Sequence, residues 1–271
     1  MPGHNIPSFT HAHKINEDGS VSFDCSQDAS KWPWLALATH HPVLIQSINF
    51  WASVESGAAR GTFDTSKWSA LTQTEWQHHA GTGPITKGVA DPVGEDGSPR
   101  YGLSFFDAAD RLVTRMTGTG VVFRTRDFEA WRAKAKERPI EDLPWCGAYA
   151  GADLVGVETQ IESFLSLIED NKAQALITKE NGLIPNHPYL DGSGDHVNST
   201  HLAEVARQFA CLFTADPQTT CSGGEMQFKR YVELGRVFDV SGGFENADAG
   251  ALQVQVHQGG RLCAEIRLDV D

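Results

Sequence analysis

One apolar stretch of this chain carries more chemistry than a core helix needs. Between Ser199 and Phe213, the residues Leu202, Val205, Ala206, Phe209, Ala210, Leu212 and Phe213 cover most of a helical circumference, the pattern of a helix buried in a core. His201, Glu204, Arg207 and Gln208 fall in the same turns, three or four residues apart, so they share one flank. A buried carboxylate is a candidate base, and a guanidinium one turn later is a cation that can orient it or hold an anion. In apolar surroundings the Glu204 carboxyl rises in pKa unless Arg207 compensates. The competing reading is a buried Glu–Arg pair that only fixes the packing of the helix.

The loop leading into this helix is also polar. Asn198 or Ser199 can cap the first turn, because a short side-chain oxygen accepts from an unpaired backbone N–H. Asp195 and His196 stand just before it and are candidate substrate-binding groups, with Asn198, His201 and Gln208. Loop hydrogen bonding is their alternative role. Asp191 is a weaker candidate. The histidine pairs 11/13, 40/41 and 78/79 lack an accompanying carboxylate pattern, so no metal site is expected.

The chain has 271 residues, enough for one large domain or two ordinary ones, and its 40% hydrophobic content with 7 Trp suits a packed core. Trp32, Trp34, Trp51, Trp68 and Trp76 all lie in the first half, where they pack a core or line a tunnel. A formal charge of −13 argues against nucleic acid and anionic membranes as partners. The 5 Cys form no CxxC pair and are odd in number, which favours a reducing cytoplasm over a disulfide framework. The N-terminus is too polar for a signal peptide, and no apolar run reaches membrane-spanning length. The basic run from Arg124 to Arg138 reads first as the solvated side of a helix and second as a phosphate or carrier-protein surface.

Period-two alternation predicts strands at Leu252–Val256 and Leu262–Val270, joined by a tight turn at Gly259-Gly260. Met226–Leu234 and Val237–Phe244 read as another strand pair, with a bulge or bend at Ser241-Gly242-Gly243. Leu154–Phe164 reads as a leading strand or helix. The first half echoes this order. Tyr101–Asp107 and Arg111–Phe123 form a hairpin, and Val43–Ala52 reads first as the matching helix, with Pro42 in its first turn, and second, from its β-branched content, as a strand. Gly81–Arg100 reads as a long loop, Asp127–Lys136 as a helix, and Glu137–Gly151 as the link. Together with the resemblance given next, this order implies an α+β fold: a tandem (double) hotdog with halves at 1–140 and 150–271, each an antiparallel sheet wrapped around a buried helix.

Three segments resemble the A-factor biosynthesis (AfsA-type) hotdog family. They are His187-Pro188 leading to Asp195-His196-Val197 and then Glu204-Val205-Ala206-Arg207-Gln208; Phe228-Lys229-Arg230-Tyr231-Val232-Glu233-Leu234; and Val256-His257-Gln258-Gly259-Gly260-Arg261. The resemblance implies an acyl-thioester enzyme that needs no cofactor. It would transfer an acyl group from acyl-CoA or acyl carrier protein to a small hydroxyl acceptor, with Glu204 and Arg207 as catalytic residues. Helix N-terminal N–H groups would polarise the carbonyl. Ser47 and Phe50 stand where the family's first repeat carries Glu and Arg, so the first half is expected to be degenerate. Asn198-Ser199 replaces the family's Pro-Gly. A thioesterase, a dehydratase or hydratase, and a non-catalytic acyl- or lactone-binding module are the alternatives; monomer and homodimer are both open.

Overall fold

The computed structural model describes residues 8–63, 68–92, 100–123, 128–137, 142–157, 162–181, 196–245 and 250–271. Among them one antiparallel sheet of eleven strands dominates. Its first-half strands are β1 (Thr10–Ile15), β2 (Val21–Cys25), β3 (Trp68–His78), β4 (Lys87–Ala90), β5 (Arg100–Phe106) and β6 (Leu112–Phe123). Its second-half strands are β7 (Lys172–Ala175), β9 (Cys221–Phe228), β11 (Phe238–Phe244), β12 (Ala251–Gln258) and β13 (Arg261–Val270). A separate two-stranded ribbon joins β8 (His196–Val197) to β10 (Val232–Glu233).

The strand order is β1-β2-β4-β5-β6-β3-β9-β13-β12-β11-β7. Apart from β1 it reads the same from both ends: β2, β4, β5, β6 and β3 on one side match β7, β11, β12, β13 and β9 on the other. Each half therefore runs strand, long helix, then four sheet strands. The seam is the β3–β9 pair, with Glu75 opposite Glu225 and Trp76 opposite Gly224. The long helices are α1 (Pro42–Ala59) and, after the short α2 (Phe128–Lys136), α3 (Ser199–Thr214). α1 packs on β1, β4 and β5, α3 packs on β13, and the two helices pack on each other.

Local sequence explains these elements. Pro42 opens α1, where its missing N–H costs nothing, and burial of Val43, Ile45 and Ile48 overrules their β-branched bias toward strand. Glu55 ties the far end of α1 to β1 by accepting from Phe9 N (2.9 Å) and Thr10 N (2.6 Å). Phe9, Trp32, Trp34 and Trp51 pack ring against ring with centroids 4.9–5.8 Å apart, so these tryptophans belong to the first-half core. In the second half, Leu252, Val254, Val256, Ala264, Ile266 and Leu268 face the core as alternation predicts, and Gly259 and Gly260 take positive φ in the turn.

Several expectations need correction. Met226–Leu234 and Val237–Phe244 do not pair. β9 ends at Phe228, and Lys229 N and Arg230 N turn back to donate to Cys263 O. Val232 and Glu233 then leave the main sheet to pair with β8, while β11 pairs with β12 and β7. Ser241-Gly242-Gly243 is regular strand. Gly242 is there because a Cβ would lie 2.3 Å from Gln253 O and 2.9 Å from the Phe209 ring of α3. The stretch 81–100 contains β4. Within 154–164 the described residues form neither strand nor helix. In α2, Arg132 is buried by a two-pronged ion pair to Glu233 (2.9 Å on each side) and lies 4.4 Å from the Tyr231 ring, so the basic run is in part a docking device.

Candidate active site

Asn198 caps α3 by accepting from His201 N at 3.1 Å, and Asn198 N donates back to His201 Nδ1 at 3.3 Å. This reciprocal box sets the helix register. Six residues after the cap, Glu204 points into the interior and is 0% exposed. Arg207 Nε donates to Glu204 Oε2 (2.9 Å) and Nη2 to Oε1 (2.7 Å), a fork on both carboxylate oxygens. Gln208 Nε2 donates to Oε1 at 2.9 Å and to Glu162 O at 2.8 Å, while its Oε1 accepts from Phe164 N at 2.8 Å. The chain before α3 thus clasps the site.

Arg207 has further partners. Its Nη2 donates to Val155 O at 3.0 Å and its Nη1 to Cys211 Sγ at 3.5 Å. The next residue, Gly156, has φ +55°, and a Cβ there would sit 2.0 Å from Pro217 O. Only glycine lets this loop close over the guanidinium.

The fourth member comes from the other half. His41 is the N-cap of α1, and its Nδ1 accepts from Val43 N at 3.2 Å. That bond leaves the proton of the neutral ring on Nε2. Nε2 faces Glu204 Oε2 at 3.7 Å, too long for a direct hydrogen bond. The His41 side chain keeps 14% exposure, whereas Glu204 has none. The approach to the carboxylate is therefore on the His41 side. His40 beside it stacks edge-on against His78 of β3 at 5.9 Å.

Electrostatics reinforce this geometry. Burial alone would raise the Glu204 carboxyl, but the Arg207 charge and hydrogen bonds, with His41 and Gln208, outweigh it and hold the group below the ordinary carboxylate range. Burial likewise opposes the Arg207 charge, and Glu204 more than restores it. His41 is pulled down to about 4, first by burial, against the pull of Glu204 and with the help of Arg207 and His40. The site thus holds an ionised carboxylate facing a neutral imidazole N–H. Burial raises the Cys211 thiol and pushes Cys221 up to about 12, which removes both as nucleophiles. Buried atoms with no partner include Gln46 Nε2 and Oε1 in α1, His78 Nδ1 in β3, and Asn198 Nδ2 and Thr200 Oγ1 at the start of α3.

Of the residues expected from the sequence, Glu204, Arg207 and Gln208 come together. Asn198 and His201 cap the helix below them. His196 goes to the β8–β10 ribbon, 4.8 Å from the Tyr231 ring. Asp195, Asp191 and the His187-Pro188 segment lie outside the described residues. Sequence reasoning missed His41 as a site member, because no local pattern tells which residue of the other half a buried carboxylate faces. Ser47 lies six residues after His41, as Glu204 lies six after Asn198, so the two positions correspond when the helices are aligned on their caps. Ser47 holds the place of Glu204, with its hydroxyl bonded to Val43 O at 2.6 Å, and Phe50 holds that of Arg207. Among the described residues no group of three or more His, Cys, Asp or Glu is placed to hold a metal, and no helix is long and apolar enough to cross a membrane.

The fold is shared with solved structures. An acyl-ACP thioesterase from Bacteroides thetaiotaomicron VPI-5482 superposes with a TM-score of 0.55 at 10% identity, over 93% of this chain and 97% of that one. The dehydratase domain from the CurJ module of the curacin polyketide synthase gives 0.54 at 11% identity, over 98% of each chain. The 12:0-ACP thioesterase from Umbellularia californica gives 0.51 at 15%, over 84% and 89%. No known family profile matches the chain. No curated protein matches it either. At these identities the likeness is one of architecture: the chain has a hotdog fold, a large antiparallel sheet wrapped on few helices.

Proposed function

We propose that this chain acts on acyl thioesters at the Glu204–His41 pair and passes the acyl group to an oxygen nucleophile. The observation that carries this reading is the 3.7 Å gap across which a base oxygen and a neutral N–H face each other, one from each half. A hydroxyl placed there loses its proton to Glu204 Oε2 as its oxygen attacks the thioester carbon. The carbonyl oxygen becomes anionic and takes the His41 Nε2–H hydrogen bond. Collapse expels the thiolate, which recovers the proton from Glu204. Arg207 and Gln208 keep the carboxylate ionised and aimed. No cofactor enters these steps.

The AfsA-type resemblance of 185–271 favours a small organic hydroxyl, and water in its place makes the same site a thioesterase. A dehydratase reading has support in the architecture shared with the CurJ domain. There Glu204 would take the α-proton of a β-hydroxyacyl group and pass it to the departing hydroxide, which leaves as water, while the His41 Nε2–H bonds the thioester carbonyl oxygen. The carrier is CoA or acyl carrier protein, and a single chain completes the site, so a monomer suffices. Five free cysteines suit a cytoplasmic setting.

The test is a panel of acyl-CoA and acyl-carrier-protein thioesters, with and without a phosphorylated triol acceptor, read by mass spectrometry. New ester supports transfer, free acid supports hydrolysis, and an enoyl product supports dehydration. Ligand retention without turnover would mark a binding module and overturn the enzymatic reading.

A further inference from the structure

The open side of the Glu204–His41 pair has residues of its own. Glu204 is fully buried while His41, 3.7 Å away, keeps some exposure, so a second reactant reaches the carboxylate past His41. The next residue on that side is His40, whose ring lies edge-on against His78 of β3 at 5.9 Å. β3 and β9 pair as far as Gln77 and Gly223, so the next residues outward are His78 on one strand and Ser222 on the other. Ser222 Oγ donates to Asp271 Oδ1 at 3.0 Å, and Asp271 N donates to Thr220 O at 3.0 Å. These two bonds hold the Asp271 carboxylate at the same end of the seam. Burial is the larger cause that lowers His40 and His78, and the Asp271 charge opposes it at both rings. Both imidazoles are thus mainly neutral at neutral pH, and His78 Nδ1 is buried without a partner. The Arg207 charge also reaches His40, but its nitrogens are committed: Nε and Nη2 to Glu204, Nη2 also to Val155 O, and Nη1 to Cys211 Sγ.

We propose that His40, His78 and Asp271 form the acceptor side of this site and select an uncharged polyol over its phosphate ester. This rests on reading Glu204–His41 as a thioester centre. Hydroxyls suit such a wall, because the carboxylate accepts from O–H and each neutral ring offers one donor and one acceptor. A phosphate meets the like charge of Asp271, and the Arg207 nitrogens that would offset it are already taken. In the transfer the acceptor oxygen bonds the acyl carbon, the C–S bond breaks, and the hydroxyl proton passes through Glu204 to the thiolate.

The experiment compares glycerol with glycerol 3-phosphate as acceptors for an acyl-CoA, using the full chain, with ester and free acid read by mass spectrometry. In parallel, nitrogen NMR of the imidazole rings follows both compounds binding without any acyl donor. Glycerol should be preferred about tenfold in kcat/KM, and the preference should shrink in about 1 M salt, where exposed charges are screened. Asp271→Lys, at an exposed position, should reverse the preference. His78→Phe keeps a ring against His40 and should raise the KM for glycerol about fivefold, as expected for one lost hydrogen bond. Equal use of both acceptors, a preference for the phosphate, or a preference that Asp271→Lys leaves in place overturns the assignment. Free acid with ester from neither alcohol also overturns it and leaves the thioester reaction standing. Glycerol shifting the His78 signal at lower concentration than its phosphate, with no thioester consumed, would keep the acceptor site and sink the proposed reaction.

Discussion

Glu204 and Arg207 are each costly to bury alone and tolerable together. Arg207→Ala removes both prongs of the fork and leaves an ionised carboxylate at 0% exposure. Urea denaturation should show a loss of about 3–5 kcal/mol, the range for breaking a buried pair. The titrations have definite signs. His41 sits at about 4 when folded and near 6.5 when unfolded. Between those values the unfolded chain binds the extra proton, so stability falls as pH drops from about 6.5 to 4, by roughly 3 kcal/mol in all. Glu204 is depressed instead, so its contribution is present above the ordinary carboxylate pKa and is lost as pH falls further. In His41→Asn the first of these slopes should flatten while the second remains, which a urea midpoint series across pH will show. The sequence made the Glu204–Arg207–Gln208 flank readable because i, i+3 and i+4 positions must share a side. It hid His41, since nothing local says which distant residue a buried carboxylate will face.

The long helices and the strands β5, β6, β12 and β13 were legible for the reason that they are stable: each shows a consistent hydrophobic period. β1, β2 and the eleven-residue β3 were not read, because polar residues dominate β1 and β3 and β2 has only five residues. β4, β7 and β10 were not, because two to four residues carry no period, and they are strands only through their neighbours. The 151–157 loop was equally opaque, though it bonds Arg207 through Val155 O. Two substitutions probe how these elements hold the site. Asn198→Ala removes the α3 cap and should cost about 1 kcal/mol by thermal melting. Gly156→Ala places a Cβ against Pro217 O at a positive φ, and should cost about 3 kcal/mol and lower activity by displacing the carbonyl that holds Arg207.

Across the whole molecule, the matching strand orders and the matching helix caps say the same thing: two similar halves share one sheet, and the site lies where the helix of one meets the cap of the other. Separated halves should each expose the β3 or β9 edge and the helix contact, and should aggregate on size-exclusion chromatography where the intact chain does not. One half carries Glu204 and Arg207 where the other carries Ser47 and Phe50, so a single centre is proposed, with His41 as the first half's contribution. The most direct trial of that centre is the rate of acyl-thioester consumption by Glu204→Gln beside the parent chain, with circular dichroism confirming the fold. Removal of the base should slow consumption by about a hundredfold or more; a folded variant that consumes thioester at the parental rate would contradict the account.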